Sequence, residues 1–277
     1  MKVKSPLIWF GGKANMADSI ISLMPEHKCY VEPFGGAAHV LASKPKSKVE
    51  VYNDINGDAV NFLMVLRKDP DKLYDACSTL PYSRYLYELW QDELFDQRRN
   101  GGDMCDFDRA VKFFYVNRCA INGGGQNHKS GWKHSAHHNT PGVYQQVCKR
   151  IVTFAERLKG VIIDCDDFSK VIQTYDDKDS LFYVDPPYFG NESRYKGGFQ
   201  EKDHRYLAAL LNRINGKAIV SYYDHDLIDK LYPGWNRLEI KTKKTMISTK
   251  DGYMRPDATE LLLMNFEDSQ MNLFEIS

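Results

Sequence analysis

The sequence predicts an α/β protein built on a doubly wound, largely parallel sheet that carries one helical insertion. Three observations point there. Short apolar runs at 29–33, 48–53, 160–165, 180–185 and 217–222 end in Gly, Asn, Asp or polar turns, and most lead into helical segments. Such runs are dense in apolar residues, as in strands buried on both faces of a sheet. Between 56 and 158 the alternation stops and helical periodicity takes over. Finally, 277 residues at 43% hydrophobic and 13% aromatic supply an ample core. That length corresponds to roughly two average domains, or to one large domain with an insertion.

Taken in order, CYVEP at 29–33 forms the first strand, and Gly35-Gly36-Ala37-Ala38 opens a helix. KVEVYN at 48–53 forms the second strand, closed by the turn Asp54-Ile55-Asn56-Gly57. Helices are expected at 57–67, 70–78, 82–98, 106–119 and 143–158. The stretch 120–142 has no periodicity and exceeds an ordinary connection, which marks a functional or mobile loop. Strands return at GVIIDC, SLFYVD and KAIVSY, and 235–266 alternates as a hairpin that closes the sheet. The expected division is 1–56 with 159–277 as the main domain and 57–158 as the insertion.

Several classes are excluded. No apolar run nears the roughly 18 residues of a membrane span. Lys2 and Lys4 precede only Leu7-Ile8-Trp9-Phe10 before two glycines, which makes no signal-peptide core. Six cysteines without a CxxC pair fit reduced thiols in a cytoplasmic protein better than a zinc site or a disulfide framework. Formal charge is zero, with 37 basic and 37 acidic residues, but it is unevenly spread. From Arg109 to Gly160 nine Lys/Arg face the single acid Glu156. Tyr115, Trp132, Tyr144 and a glycine-rich loop interleave that block, the composition of a polyanion-binding lobe.

Two segments carry chemistry. Tyr30-Val31-Glu32-Pro33-Phe34-Gly35-Gly36-Ala37-Ala38 is a strand ending in an acid and then a small-residue turn, which lets a nucleoside approach the backbone. Asp54, 19 residues after Gly35, is placed to accept hydrogen bonds from ribose hydroxyls. GxGxxG is absent, which weakens a dinucleotide reading. In Phe182-Tyr183-Val184-Asp185-Pro186-Pro187-Tyr188 the acid falls at a strand end, where open α/β sheets bind ligands. The two prolines stiffen the turn. An exocyclic amine on a planar base is a poor nucleophile, because its lone pair is delocalised into the ring. Asp185 and the Pro186 carbonyl suit acceptance of its two N–H groups, and Tyr188 suits stacking on the base. These residues suit amino-methyl transfer, with cytosine-N4, adenine in RNA, a protein glutamine or a non-catalytic binding module as open alternatives.

Together these segments resemble the DNA adenine methylase family, S-adenosylmethionine-dependent enzymes of the alpha-group motif order. Pro6-Leu7-Ile8-Trp9-Phe10-Gly11-Gly12-Lys13 resembles the family's PxxWxGGK, YVEPFGG its cofactor loop, and Asn53-Asp54-Ile55-Asn56 its ribose turn. Asp166-Asp167-Phe168 resembles the segment that holds the cofactor's adenine, and Asp185-Pro186-Pro187-Tyr188 the catalytic tetrapeptide. Ser221-Tyr222-Tyr223-Asp224 and Glu260-Leu261-Leu262 resemble later motifs. The resemblance implies a class I methyltransferase with a Rossmann-like, seven-stranded mixed sheet that flips adenine out of double-stranded DNA and methylates its amino group. It implies cofactor contacts from Trp9, Lys13, Glu32, Pro33, Phe34, Gly35, Gly36, Ala37, Asp54, Asp167, Phe168 and Asp185.

Tyr115-Val116-Asn117-Arg118 resembles the family's YxNR, but the loop after it departs from the pattern of GATC-specific members. DNA contacts are therefore expected from the basic insertion, with phosphates met by Lys129, Lys133, Lys149 and Arg150. Arg118, Asn122, Gln126 and Asn127 are the candidates for base readout. His134, His137 and His138 lack neighbouring carboxylates, so no metal is expected. The tail Gln270-Met271-Asn272-Leu273-Phe274 resembles the QLxLF peptide by which bacterial DNA-processing proteins dock on the replication sliding clamp. Gln270, Leu273 and Phe274 would be its anchors.

Overall fold

The computed structural model describes residues 2–100, 105–123, 129–190, 192, 197–243, 247–249, 252–254 and 257–267. A seven-stranded mixed sheet forms its centre. The strands are β1 (Cys29–Glu32), β2 (Val49–Asn53), β3 (Val161–Asp164), β4 (Ser180–Val184), β5 (Lys217–Tyr223), β6 (Asn236–Lys243) and β9 (Asp257–Met264), in the order β3-β2-β1-β4-β5-β9-β6. The first five are parallel, and β9 runs antiparallel between β5 and β6. A small hairpin, β7 (Ile247–Thr249) with β8 (Gly252–Met254), lies between β6 and β9 in sequence. The expected seven strands are present, and the closing element at 235–266 is a long hairpin with this smaller one at its far end.

Side-chain alternation explains why both faces are covered. Tyr30, Tyr52, Leu181, Tyr183, Ile219 and Leu262 join one buried cluster, whereas Val31, Val51, Phe182, Val184, Val220 and Leu261 join another. These are neighbours of opposite parity, pointing to opposite faces as a pleated strand requires. The second face is covered by α9 (Phe168–Tyr175), α10 (Glu201–Leu211) and α11 (Asp226–Leu231). The first is covered by α1 (Ala17–Ser22), α2 (His39–Ser43) and the helices between β2 and β3.

Those helices are α3 (Gly57–Lys68), α4 (Pro70–Ser78), α5 (Arg84–Asn100), α6 (Phe107–Cys119), α7 (Thr140–Cys148) and α8 (Arg150–Arg157). Their starts are written locally: the side chains of Asn56, Asp69, Asp106 and Asn139 each accept a backbone N–H of the helix they precede, as N-caps do. One expectation is corrected. The helix at 143–158 is two helices, starting at Thr140 and breaking at Lys149. The loop at 120–142 is also pinned where it is described. Ala120 bridges to Trp132, whose ring lies against Tyr82 and beneath the Arg84 guanidinium. Phe62, Phe114, Tyr115 and Tyr144 of the inserted helices share one continuous cluster with the sheet residues of the first face.

Candidate active site

The carboxyl ends of β1, β2 and β4 converge on two adjoining crevices that share Phe34, Asp54, Ile55 and Pro187. Asn53 stitches the strand ends together. Its Nδ2 donates to the carbonyls of Pro33 and Asp166 (2.9 and 3.0 Å), and its Oδ1 accepts the Asp166 N–H at 2.9 Å. Asp54 fixes the glycine turn: Oδ2 accepts from Gly36 N–H at 2.7 Å and Oδ1 from Asn56 N–H at 2.8 Å. The turn cannot carry larger residues. A Cβ on Gly35 would meet the Tyr52 ring at 2.2 Å, and one on Gly36, at φ +49°, would meet Trp9 at 2.7 Å. Glycine is needed there because backbone and aromatic faces approach too closely for a side chain.

All twelve residues expected to hold the cofactor line these crevices. At one end the Phe34 and Phe168 rings stack at 5.3 Å and Phe199 meets both within 5.8 Å, so the three rings wall that end of the crevice. Asp54 sits midway, where the two crevices meet. At the other end lie Trp9, Lys13 and Glu32, an ammonium and a carboxylate suited to an amino-acid group. Glu32 accepts from Tyr30 Oη and Leu41 N–H, both at 2.7 Å, and burial pushes its carboxyl up to about 7. The residues present therefore fit a nucleoside bearing an amino-acid tail. Sequence reasoning missed Ile55, 48% exposed at the junction, and Phe199, which follows no motif.

Asp185 stands at the end of β4, with Pro186, Pro187 and Tyr188 buried behind it. Its two oxygens each lie 2.8 Å from Lys13 Nζ, and Oδ1 also accepts from Ser221 Oγ at 2.9 Å. Lys13 Nζ further donates to the Gly11 carbonyl and lies 3.2 Å from Glu260 Oε1 and 4.8 Å from the Tyr188 ring centre. Burial alone would depress the Lys13 ammonium, but Asp185 and Glu260 more than offset it and raise its pKa. Lys13 therefore keeps its charge in this cleft.

Asn117 of the YVNR segment clamps the N-terminal strand-like stretch, accepting from Ile8 N–H at 2.9 Å and donating to its carbonyl at 2.7 Å. The next residue, Arg118, enters a groove next to the cleft with Arg150, His39, Lys2 and Lys4. Neither arginine meets a carboxylate among the described residues, and Arg118 Nε is buried without a hydrogen bond. Burial, then Arg150, pulls the Arg118 guanidinium down to about 10. Burial, then Lys13, Arg118 and Arg150, pulls the His39 imidazole down to about 4. The other DNA-contact candidates are dispersed. Lys129 is paired with Asp92 at 2.7 Å on α5, Lys133 lies beside Tyr82, and Lys149 is exposed at the α7–α8 break. Asn122 belongs to a short 3-10 turn, while Gln126 and Asn127 lie outside the described residues. Among the described residues no group of three or more His, Cys, Asp or Glu is arranged to hold a metal.

The model of the D12 class N6 adenine-specific DNA methyltransferases matches residues 9–246. A type II methyltransferase of Methanocaldococcus jannaschii, M.MjaIII, is 27% identical over 96% of this chain and 100% of its own. A DNA adenine methylase of Salmonella typhimurium is 30% identical over 95% of each chain. The retron Ec67 DNA adenine methylase of Escherichia coli is 29% identical over 94% of this chain and 90% of its own.

Proposed function

The chain belongs to the D12 class N6 adenine-specific DNA methyltransferase family, and from that premise we propose that Asp185 and the Pro186 carbonyl activate the target adenine amine. The protein is an S-adenosylmethionine-dependent enzyme that methylates adenine in DNA. S-Adenosylmethionine, when bound, supplies an electrophilic methyl group. The crevice walled by Phe34, Phe168 and Phe199 would take its adenine, Asp54 its ribose, and Glu32, Trp9 and Lys13 its amino-acid end. The chain's own task is to hold the amine in line and push electron density onto its nitrogen. A carboxylate accepting one N–H and a carbonyl accepting the other do both. A base cannot reach this site within a duplex, so the target is flipped out, at a cost of a few kcal/mol.

The observation that carries this reading is the position of Asp185 at the strand end, beside the nucleoside crevice. Full-length enzyme, plasmid DNA and S-adenosylmethionine, followed by long-read sequencing that detects modified bases, provide the test. N6-methyladenine in one sequence context is expected. Methyl groups on cytosine N4, or none on DNA, would overturn it.

DNA recognition is assigned to the insertion at 57–158, with Arg118 and Arg150 meeting backbone phosphates beside the flipped base. The buried cations have carboxylates: Lys13 has Asp185, Lys44 and Arg157 have Glu50, and Arg109 has Asp58. Arg118 and Arg150, both half-buried, have none among the described residues, and two crowded guanidiniums without an acid are costly unless an anion arrives. Arg118→Ala with Arg150→Ala should weaken binding to every duplex alike, by tenfold or more. It should also flatten the plot of log affinity against log salt by about two units. A loss confined to the methylated sequence would assign these arginines to base readout.

The finer partners rest on sequence. The clamp-like tail, with Gln270, Leu273 and Phe274, lies outside the described residues. Tethering through it would raise methylation near replicating DNA without altering the active site. A fluorescence titration of residues 268–277 against a bacterial sliding clamp should give binding at tens of micromolar or tighter, and none would remove the proposal. Among the described residues no helix is long and apolar enough to cross a membrane, and a cytoplasmic setting suits an enzyme acting on DNA. The type II relative suggests a restriction-modification role.

A further inference from the structure

We propose that Glu260 is a positioning residue that receives the Lys13 ammonium when the target amine takes its place on Asp185. This rests on the reading of Asp185 as the acceptor of that amine. One ammonium now fills both halves of the catalytic tetrapeptide. Lys13 Nζ bonds the two Asp185 oxygens at 2.8 Å each and covers the Tyr188 ring at 4.8 Å. An incoming amine is a donor to the same oxygens, and an incoming base needs the same ring face. Lysine and base therefore exclude each other.

Lys13 cannot simply enter water, because its side chain is only 5% exposed. A buried ammonium requires a counter-charge. Glu260 Oε1, 3.2 Å away and 7% exposed, is the other carboxylate in contact with it. Glu260 also accepts the Tyr188 hydroxyl, which keeps the ring in place during the exchange. Asp185 is held independently: Ser221 Oγ donates to Oδ1 at 2.9 Å, and Tyr183 Oη lies 3.2 Å from that Oγ. Departure of Lys13 thus leaves Oδ2 open towards the cleft without releasing the carboxylate.

The location of Glu260 argues for a purpose beyond packing. It begins the run Glu260-Leu261-Leu262-Leu263-Met264 on β9, an inner strand hydrogen-bonded on both sides, where a buried acid is expensive. Removing its charge costs the resting arrangement one of two carboxylates. It costs the displaced arrangement the only one found among the described residues. The amine-accepting state should therefore lose population.

The test uses full-length enzyme and a duplex with 2-aminopurine replacing the target adenine of the sequence found by modification mapping. Glu260→Gln retains an acceptor for the Tyr188 hydroxyl and removes only the charge, whereas Tyr188→Phe removes only the hydroxyl bond. Glu260→Gln should lower the 2-aminopurine fluorescence gain, and the single-turnover rate at saturating unmodified duplex, by about tenfold. Its S-adenosylmethionine affinity should stay within twofold, which also shows that the variant folds. Adding Glu260→Gln to Lys13→Met should cause no further fluorescence loss, since no ammonium then needs a destination. Glu260→Gln behaving within twofold of wild type would overturn the proposal. So would Tyr188→Phe reproducing the whole loss, because Glu260 would then only anchor the ring. Wild-type enzyme that fails to methylate the mapped adenine would instead overturn the assignment of the reaction.

Discussion

Asp185→Ala is expected to abolish methyl transfer, with a single-turnover rate at least a hundredfold below wild type. Two effects add. The amine loses the carboxylate that accepts its N–H and raises electron density on nitrogen, and positioning and polarisation of this kind are usually worth 10²-fold or more. Lys13 also loses a carboxylate partner, leaving its ammonium against the Tyr188 face with Glu260 and the Gly11 carbonyl. Cofactor affinity should fall less than tenfold, because the crevice floor is built by Asn53, Asp54 and the glycine turn rather than by Asp185. Calorimetry with S-adenosylmethionine and single-turnover kinetics on plasmid DNA separate the two quantities. A variant that keeps more than about a tenth of the wild-type rate would remove Asp185 from the chemistry.

The parallel sheet was legible in the sequence because each strand is a short, dense apolar run with a turn residue at its end. The helices expected at 57–67 and 70–78 were legible because Asn56 and Asp69 cap them and Pro70 starts the second. The break at Lys149 was not, since that residue keeps helical angles (φ −58°, ψ −21°) and no glycine or proline announces it. The site divides along the same line. Gly35, Asp54 and Asp185 are marked by local turn chemistry. Lys13 was marked as part of a motif, but its pairing with Asp185, 172 positions away, follows only from the topology. His39, Phe199 and the Glu260 contact with Lys13 are likewise products of folding, in which distant segments meet at one end of the sheet. Arg118 was expected at a base. Its setting favours an anion, because Lys2, Lys4, His39 and Arg150 share the groove with it.

Asp54→Ala should lower S-adenosylmethionine affinity by tenfold or more, and the geometry indicates why the loss should exceed that of a simple ribose contact. Both carboxylate oxygens already hold backbone N–H groups, Gly36 at 2.7 Å and Asn56 at 2.8 Å. An ionised carboxylate has about four lone-pair sites, so backbone N–H groups and ribose hydroxyls can share one. Hydrogen bonds to a charged acceptor are worth on the order of 1.5–3 kcal/mol each. Alanine removes the ribose acceptor and also frees the Gly36 N–H, leaving the turn to the Tyr52 hydroxyl on the Gly36 carbonyl and to the backbone bonds of Gly35. Asp54→Asn distinguishes the two roles. An amide can still exchange hydrogen bonds with ribose hydroxyls, but its NH2 group must face one of the two backbone N–H donors. If the turn is what Asp54 chiefly secures, the asparagine variant should bind within about threefold of the alanine variant. If ribose contact dominates, it should recover most of the lost affinity. Calorimetric titration of both variants gives the answer, and wild-type affinity in Asp54→Ala would detach this residue from the cofactor altogether.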